Sequence, residues 1–223
     1  MDIKKYVINL KRRPDRLQKF FANCPYDSGE IEVVYGFDGS RPEEQKPEEV
    51  HLFNNAFHKS LLPGERGCFI SHLRIFQEIV DTNAEWAMIF EDDALFSQNY
   101  LEKMSQVLAE LPMDSADILY IGGRFRENFI MQEQGSKKFS DNIVLHNMKP
   151  RRMPWEHDRT THAYMISARC AKVFLSNFPT LINIPDMPID KWMILSLEHN
   201  QTNIYNTYPL LCHCPGVSDS DIR

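Results

Sequence analysis

The sequence predicts an α/β fold, a mostly parallel central sheet flanked by helices, and three observations carry that expectation. Short apolar runs alternate along the chain with stretches of helical period. The run Trp86-Ala87-Met88-Ile89-Phe90 is continuous rather than alternating, as a strand buried on both faces requires. Glycines and carboxylates follow the runs, at Gly36-Phe37-Asp38-Gly39 and at Glu91-Asp92-Asp93, and the carboxyl ends of parallel strands are where such sheets take ligands.

In chain order, Tyr6 to Leu10 reads as the first strand, and Arg13-Pro14-Asp15-Arg16 opens a helix whose Leu17, Phe20 and Phe21 share a face. Ile31 to Tyr35 is the second strand, closed by the turn at Gly36 to Gly39. Residues 40–49, rich in Pro and Glu, read as a solvated loop. Glu65 to Val80 is a packed helix, with Phe69, Leu73, Phe76 and Val80 at helical spacing. Trp86 to Phe90 is a central strand that runs directly into the acidic triplet. Tyr100 to Leu111 is an amphipathic helix, with Ser97 as its cap and Pro112 as its stop. Ile118 to Ile121 is a further strand. Residues 124–141 and 148–159 are polar or rich in Pro and Arg, and read as long surface loops that set specificity. Ala163 to Ile166 is a strand, Ser167 caps a helix through Leu175, Asp190 starts another helix, and Leu210 to Cys212 is a late strand.

At 223 residues, with 43% hydrophobic and 25% charged, the chain is read as one domain over 1–223 with a single substantial core. A net charge of -6 and a pI near 5.8 exclude a protein that binds by neutralising a phosphate backbone, so nucleic acid is not an expected partner. The basic pairs Arg12-Arg13 and Arg151-Arg152 suit a small phosphorylated ligand or, equally, a solvated loop. Five cysteines at irregular spacing fit reduced thiols rather than a disulfide framework. Cys212-His213-Cys214 has no second cluster to complete a structural zinc site. The early apolar run Tyr6-Val7-Ile8 is too short for a signal peptide or a membrane span, so the expectation is a cytoplasmic chain without a span.

Three adjacent carboxylates at the end of a buried strand repel one another, and a divalent cation relieves that repulsion. Side chains alternate along a strand, which predicts Glu91 and Asp93 on one side and Asp92 on the other. Oxygen donors select a hard cation such as Mn²⁺ or Mg²⁺, which completes its shell with substrate phosphates. The alternative is a solvated loop that caps the next helix.

Several blocks match one family in the same order. They are Val7-Ile8-Asn9-Leu10 with Arg13, Asp15 and Arg16; Phe37-Asp38-Gly39; Gly64-Glu65-Arg66-Gly67-Cys68 with Ser71-His72-Leu73; and Ile89-Phe90-Glu91-Asp92-Asp93. Ala163-Tyr164-Met165-Ile166-Ser167 with Ala171, Pro188-Ile189-Asp190, and Ser218-Asp219-Ser220-Asp221-Ile222 continue the series. On these residues the sequence resembles the family 25 glycosyltransferases, which include lipooligosaccharide and collagen galactosyltransferases. The resemblance implies a GT-A type, Rossmann-like domain, a UDP-sugar donor with galactose favoured, Mn²⁺ (or Mg²⁺) dependence, and inversion at the sugar carbon. Residues 1–123 would then form the nucleotide-sugar-binding half and residues 124–223 the acceptor-side half, with a glycan, a lipid-linked sugar or a protein as acceptor. A catalytically silent binding module of the same family is the competing expectation.

Under that reading Asp93 is the principal metal ligand, Glu91 a second ligand or a contact through water, and His213 a ligand from the far side or else a core histidine. Asp92 goes to the donor's ribose or phosphate, and Asn9, Arg13, Arg16, Asp38 and Ser71 complete the donor site. Asp190 is the base that takes the acceptor's proton, or a simple helix cap, with Asp158 in reserve. His72 is read as structural, and Trp155 and Tyr164 as either sugar-stacking or core aromatics.

Overall fold

The computed structural model describes residues 3–123, 136–146, 160–181, 187–200 and 202–214. In chain order the elements are β1 (Ile3–Asn9), α1 (Pro14–Asn23), β2 (Glu32–Tyr35), α2 (Pro47–Asn55), α3 (Pro63–Asp81), β3 (Trp86–Glu91), β4 (Leu95–Phe96) and α4 (Tyr100–Glu110). Then follow β5 (Ile118–Tyr120), β6 (Ser136–Lys138), β7 (Ile143–His146), β8 (Ala163–Ser167), α5 (Ala168–Leu181), α6 (Ile189–His199), β9 (Ile204–Thr207) and β10 (Cys212–His213).

Eight strands form one sheet in the order β2-β1-β3-β8-β5-β9-β7-β6. Its direction is mostly parallel, as expected: β1, β2, β3, β5, β6 and β9 run one way, and β7 and β8 run against them. Alternation along the strands sends side chains to both faces, and each face is covered. Tyr6, Ala87, Ile89 and Ile166 pack with Phe76 of α3, Phe174 of α5 and Trp192 of α6. Val7, Met88, Phe90 and Met165 pack on the other side with Phe20 of α1 and Met104 of α4.

Some elements differ from the sequence expectation. Residues 40–49 are not all loop, because a 3-10 turn spans Pro42–Glu44 and α2 starts at Pro47. Proline fits the first helical turn, and Phe53 anchors α2 by stacking on Phe37 with ring centroids 5.0 Å apart. Composition dominated by Pro and Glu hid that single anchor. Strand β9 escaped notice because its buried positions include Asn206 and Thr207, and β7 because it is only four residues long. Ser167 does cap its helix, its Oγ accepting from the Cys170 amide at 3.1 Å. Ser97 does not, since its buried hydroxyl meets no partner among the described residues. Arg151, Arg152, Trp155, Asp158 and the block 218–222 lie outside the described residues, as does most of the two expected long loops.

What positions the site is the connection order around β1. The chain passes from β1 to β2 on one side, then through α3 to β3 on the other. Strand order therefore reverses at β1, and a crevice opens beyond its carboxyl end. The loop after β2 closes onto the start of α3 so tightly that a Cβ on Gly39 would stand 1.9 Å from the Pro63 carbonyl oxygen. Gly67 faces the same loop, its added Cβ 2.5 Å from the Phe37 carbonyl oxygen. Gly39→Ala is expected to push the loop off α3 and cost about 1–3 kcal/mol, read as a lower urea midpoint. An unchanged midpoint would show that the contact yields without cost.

Candidate functional site

The crevice is a cavity of about 290 Å³, near the lower end of small-ligand sites. Three chain segments supply much of its wall: Ile8-Asn9-Leu10 after β1, Phe37 to Ser40 after β2, and Glu91-Asp92-Asp93 after β3. Arg16 enters from α1, and Leu62, Pro63, Gly64, Cys68, Ser71 and His72 enter from the start and first turns of α3.

The triplet does not divide by strand alternation, because the strand stops at Glu91 and the chain turns, with the Ala94 amide donating to the Glu91 carbonyl at 3.0 Å. All three carboxylates consequently line the cavity, but in two groups. Asp92 and Asp93 share one guanidinium: Arg16 Nη2 lies 2.5 Å from Asp92 Oδ1 and 3.2 Å from Asp93 Oδ2. Asn9 Nδ2 donates to Asp92 Oδ2 at 2.6 Å and to the Arg13 carbonyl at 2.9 Å, so it fixes both the aspartate and the entry to α1. Glu91 stands apart. Its Oε1 accepts from Thr161 Oγ1 at 2.5 Å and lies 3.3 Å from His72 Nε2, while His72 Nδ1 lies 2.6 Å from the Tyr164 hydroxyl.

These surroundings shift the two carboxyls in opposite directions. Burial opposes ionisation of Glu91, but the bonds from His72 and Thr161 outweigh it and hold the carboxyl below its ordinary range. Burial also acts on Asp93, and with the charges of Glu91 and Asp92 it overcomes the pull of Arg16 and pushes the carboxyl up to about 7. Asp93 Oδ1 is buried and accepts no hydrogen bond among the described residues. One guanidinium, that of Arg16, is thus shared between two aspartates.

That shift has a signed consequence for stability. The folded Asp93 carboxyl titrates near 7 against an ordinary 3.8, so between those values the folded chain holds the additional proton. Stability in metal-free buffer is then lost as pH rises from about 4 to about 7, by up to about 4 kcal/mol from this group. The difference in urea stability between pH 5 and pH 8 is expected to shrink in Asp93→Asn. An equal difference in both proteins would contradict the shift.

The other expected donor-site residues fall into place unequally. Asp38 is buried and committed to its own loop: Oδ1 accepts from the Ser40 amide at 3.0 Å and from Ser40 Oγ at 2.6 Å, and Oδ2 from Arg12 Nε at 2.7 Å. Burial works against its charge, yet Ser40 and Arg12 hold its carboxyl below the ordinary value. Ser71 is a staple, donating to the Gly67 carbonyl at 2.7 Å and accepting from the Phe37 amide at 2.8 Å. Arg13 sits just before α1, its guanidinium 3.0 Å from Asp15, and is not among the residues lining the cavity. His213 pairs across from Leu95, two residues beyond Asp93, and also stands outside the cavity wall. Asp190 lies in the first turn of α6, where its Oδ1 accepts from the Lys191 amide at 2.8 Å. Its charge reaches the Cys68 thiol, which places it beside the cavity rather than in its wall. Tyr164 is fully buried against His72, so it is a core aromatic and offers no face to a sugar.

Thr161 and His72 were not expected at the carboxylates. Thr161 carries no sequence signal, whereas His72 follows Cys68 by one helical turn and could have been paired with Glu91 once α3 was known to flank β3.

A sheet whose strand order reverses beneath a carboxylate-lined cavity places the protein in the α/β class that takes ligands beyond the carboxyl ends of its strands. The chain belongs to glycosyltransferase family 25: residues 2–193 match the family described as "Glycosyltransferase family 25 (LPS biosynthesis protein)". It is 31% identical to a "Glycosyltransferase 25 family member" of Aedes aegypti over 78% of this chain and 28% of that protein. It is 24% identical to "Procollagen galactosyltransferase 1" of Danio rerio, over 98% of this chain and 34% of the relative. A Bos taurus relative, 23% identical over 91% of this chain and 33% of its own length, is named "Probable inactive glycosyltransferase 25 family member 3". The chain thus spans about a third or less of these relatives' lengths. Among solved structures it resembles "a glycosyltransferase involved in the glycosylation of the major capsid of PBCV-1", at 9% identity and a TM-score of 0.49, covering 99% of this chain and 95% of that one. No helix among the described residues is long and apolar enough to cross a membrane.

Proposed function

We propose that this chain forms the GT-A type catalytic unit of an inverting glycosyltransferase that moves a hexose, galactose in first place, from a UDP-sugar to an acceptor hydroxyl with the help of Mn²⁺ or Mg²⁺. The observation that carries the reading is the Asp93 carboxylate beyond the carboxyl end of β3, held up to about 7, with Oδ1 buried and without a donor among the described residues. An all-oxygen donor set at a diphosphate-sized opening fits a hard cation, with Asp93 as principal ligand and Glu91 reaching it directly or through water. Such an ion supplies charge stabilisation to the departing diphosphate.

The chain's own residues supply the rest. Asn9 and Arg16 hold the acidic turn in place, Asp92 faces the donor from that turn, and the loop from Phe37 to Ser40 shapes the pocket for the base and ribose. Asp190, approaching from α6, accepts the acceptor's proton during in-line attack. Galactose is favoured by the galactosyltransferase name of a relative that matches across 98% of this chain. The acceptor belongs to the class of glycans, lipid-linked sugars or proteins.

The test is a panel of UDP-sugars with Mn²⁺, scored by UDP release, followed by an acceptor screen with the best donor. Release with UDP-galactose that stops on chelation supports the proposal. Donor binding without turnover against every acceptor would favour a silent module, in keeping with the name of the Bos taurus relative. Release of sugar phosphate in place of UDP would identify a hydrolase.

A further inference from the structure

The floor of the cavity holds a second group of ligating atoms, distinct in chemistry from the aspartate pair. Cys68 and His72 project from one face of α3, one turn apart, toward Glu91 at the end of β3. The Cys68 sulfur, a His72 ring nitrogen and a Glu91 oxygen all lie within 4.8 Å of one another. We infer that Cys68, His72 and Glu91 form a binding site for a thiophilic divalent cation of the Zn²⁺ class, adjacent to the hard-cation site proposed at Asp93 and sharing Glu91 with it.

One of the three donor separations already matches what such an ion needs, and the sulfur lies within 4.8 Å of the other two donors. Zinc bonds of about 2.0–2.3 Å in tetrahedral array put neighbouring donor atoms roughly 3.3–3.6 Å apart. His72 Nε2 and Glu91 Oε1 already stand 3.3 Å apart. The outer partners that orient such ligands are also present. Tyr164 holds Nδ1 of His72, and the Thr161 hydroxyl donates to Glu91 Oε1 at 2.5 Å. Three protein ligands leave a fourth position, and because all three line the cavity that position faces the space where a ligand enters.

The charge environment agrees. The carboxylates of Glu91, Asp190 and Asp93 all act on the Cys68 sulfur, so a cation here enters a negative field. Binding is ligand exchange without redox change. The thiol S–H bond breaks, its proton passes to the buffer, and the sulfur electron pair binds the ion. For Nε2 to give its lone pair to the ion, the proton it lends to Glu91 in the metal-free protein leaves that nitrogen for solvent, and the bound imidazole carries its N–H on Nδ1, with the Tyr164 oxygen accepting it. Cysteine and histidine among the ligands select zinc or cobalt over manganese or magnesium.

The test titrates Co²⁺, a coloured stand-in for Zn²⁺, into the metal-free full chain. The expected result is visible tetrahedral bands and a near-ultraviolet thiolate-to-cobalt band that saturate at one equivalent and vanish when Zn²⁺ is added. Cys68→Ser should remove the near-ultraviolet band and weaken binding more than tenfold, while Asp93→Asn leaves the spectrum as in the wild type. Wild-type zinc protein examined by X-ray absorption should show one sulfur neighbour, a readout independent of how the variants fold. No near-ultraviolet band in the wild type would overturn the inference. Retention of that band in Cys68→Ser would place the ion on another thiol. Its loss in Asp93→Asn would place the ion at the aspartate pair. Because Asp93→Asn removes the proposed donor-site ligand and none of the three ligands here, either claim can fail while the other stands.

Discussion

Asp93→Asn is expected to lower kcat/KM for sugar transfer at least about a hundredfold, an effect of roughly 3 kcal/mol or more on the transition state. The amide keeps the size of the side chain and one oxygen but removes the charge. Asp93 Oδ1 is buried and meets no donor among the described residues, and its carboxyl is held up to about 7 by burial and by its acidic neighbours. A group strained in that way in the metal-free protein is the one a cation relieves most. The same substitution should relieve the apo protein at pH 8 while abolishing Mn²⁺-dependent donor binding. Opposite signs for apo stability and ligand binding separate a metal ligand from a structural acid, whose loss would weaken both. Steady-state kinetics beside urea melts of the apo protein check the pair. A loss of less than tenfold in kcat/KM would remove Asp93 from the principal role.

Arg16→Met carries the second large effect, a loss of about 3–5 kcal/mol of stability in metal-free buffer at pH 8. Arg16 is 7% exposed and bridges Asp92 and Asp93, whose side chains are 9% and 24% exposed. Methionine retains much of the stem and its packing on α1, so the loss reports the charge. Without the guanidinium, two aspartates face each other in a buried turn that Glu91 already makes negative. The defect should shrink at pH 5, where Asp93 takes up a proton, and shrink again when Mn²⁺ is added at pH 8. Urea titrations under the three conditions give the comparison. A loss below about 1 kcal/mol at pH 8, or one indifferent to pH and Mn²⁺, would show that Arg16 is an ordinary surface partner.

Much of the sheet could be read from the sequence because each central strand declares itself over a few residues. Trp86 to Phe90 is apolar throughout, and the structure buries it on both faces between β1 and β8. What failed were elements whose reason lies elsewhere in the fold. Strand β9 holds its polar residues inward, Thr207 Oγ1 donating to the Ile121 carbonyl at 3.2 Å, so no hydrophobic pattern announces it. Helix α2 depends on Phe53 meeting Phe37, a contact that composition conceals.

The site divides along the same line. That an acidic triplet at a strand end would face a pocket was legible, since it needs only the strand and its direction. How the three acids divide was not, because alternation assumes a strand that continues, and the turn at Glu91 brings Asp92 and Asp93 together on Arg16 instead. Ser71 and Gly39 stood out within motif blocks. Their role in seating the β2 loop on α3 rests on a close approach at Gly39 that leaves no room for a Cβ and on the 2.8 Å bond from the Phe37 amide to Ser71 Oγ, which no spacing rule encodes. The Tyr164–His72–Glu91–Thr161 chain joins α3, β3 and the residues before β8, and its members are too far apart in sequence to be paired by pattern.

The central claim is that the cavity beyond β1, β2 and β3 binds a nucleotide diphosphate through a divalent cation at the acidic turn. Isothermal titration of UDP into the protein with Mn²⁺ tests it most directly. The account predicts saturable heat at one site, abolished by chelation and by Asp93→Asn. Heat that is absent with Mn²⁺, or the same with and without the ion, would contradict it.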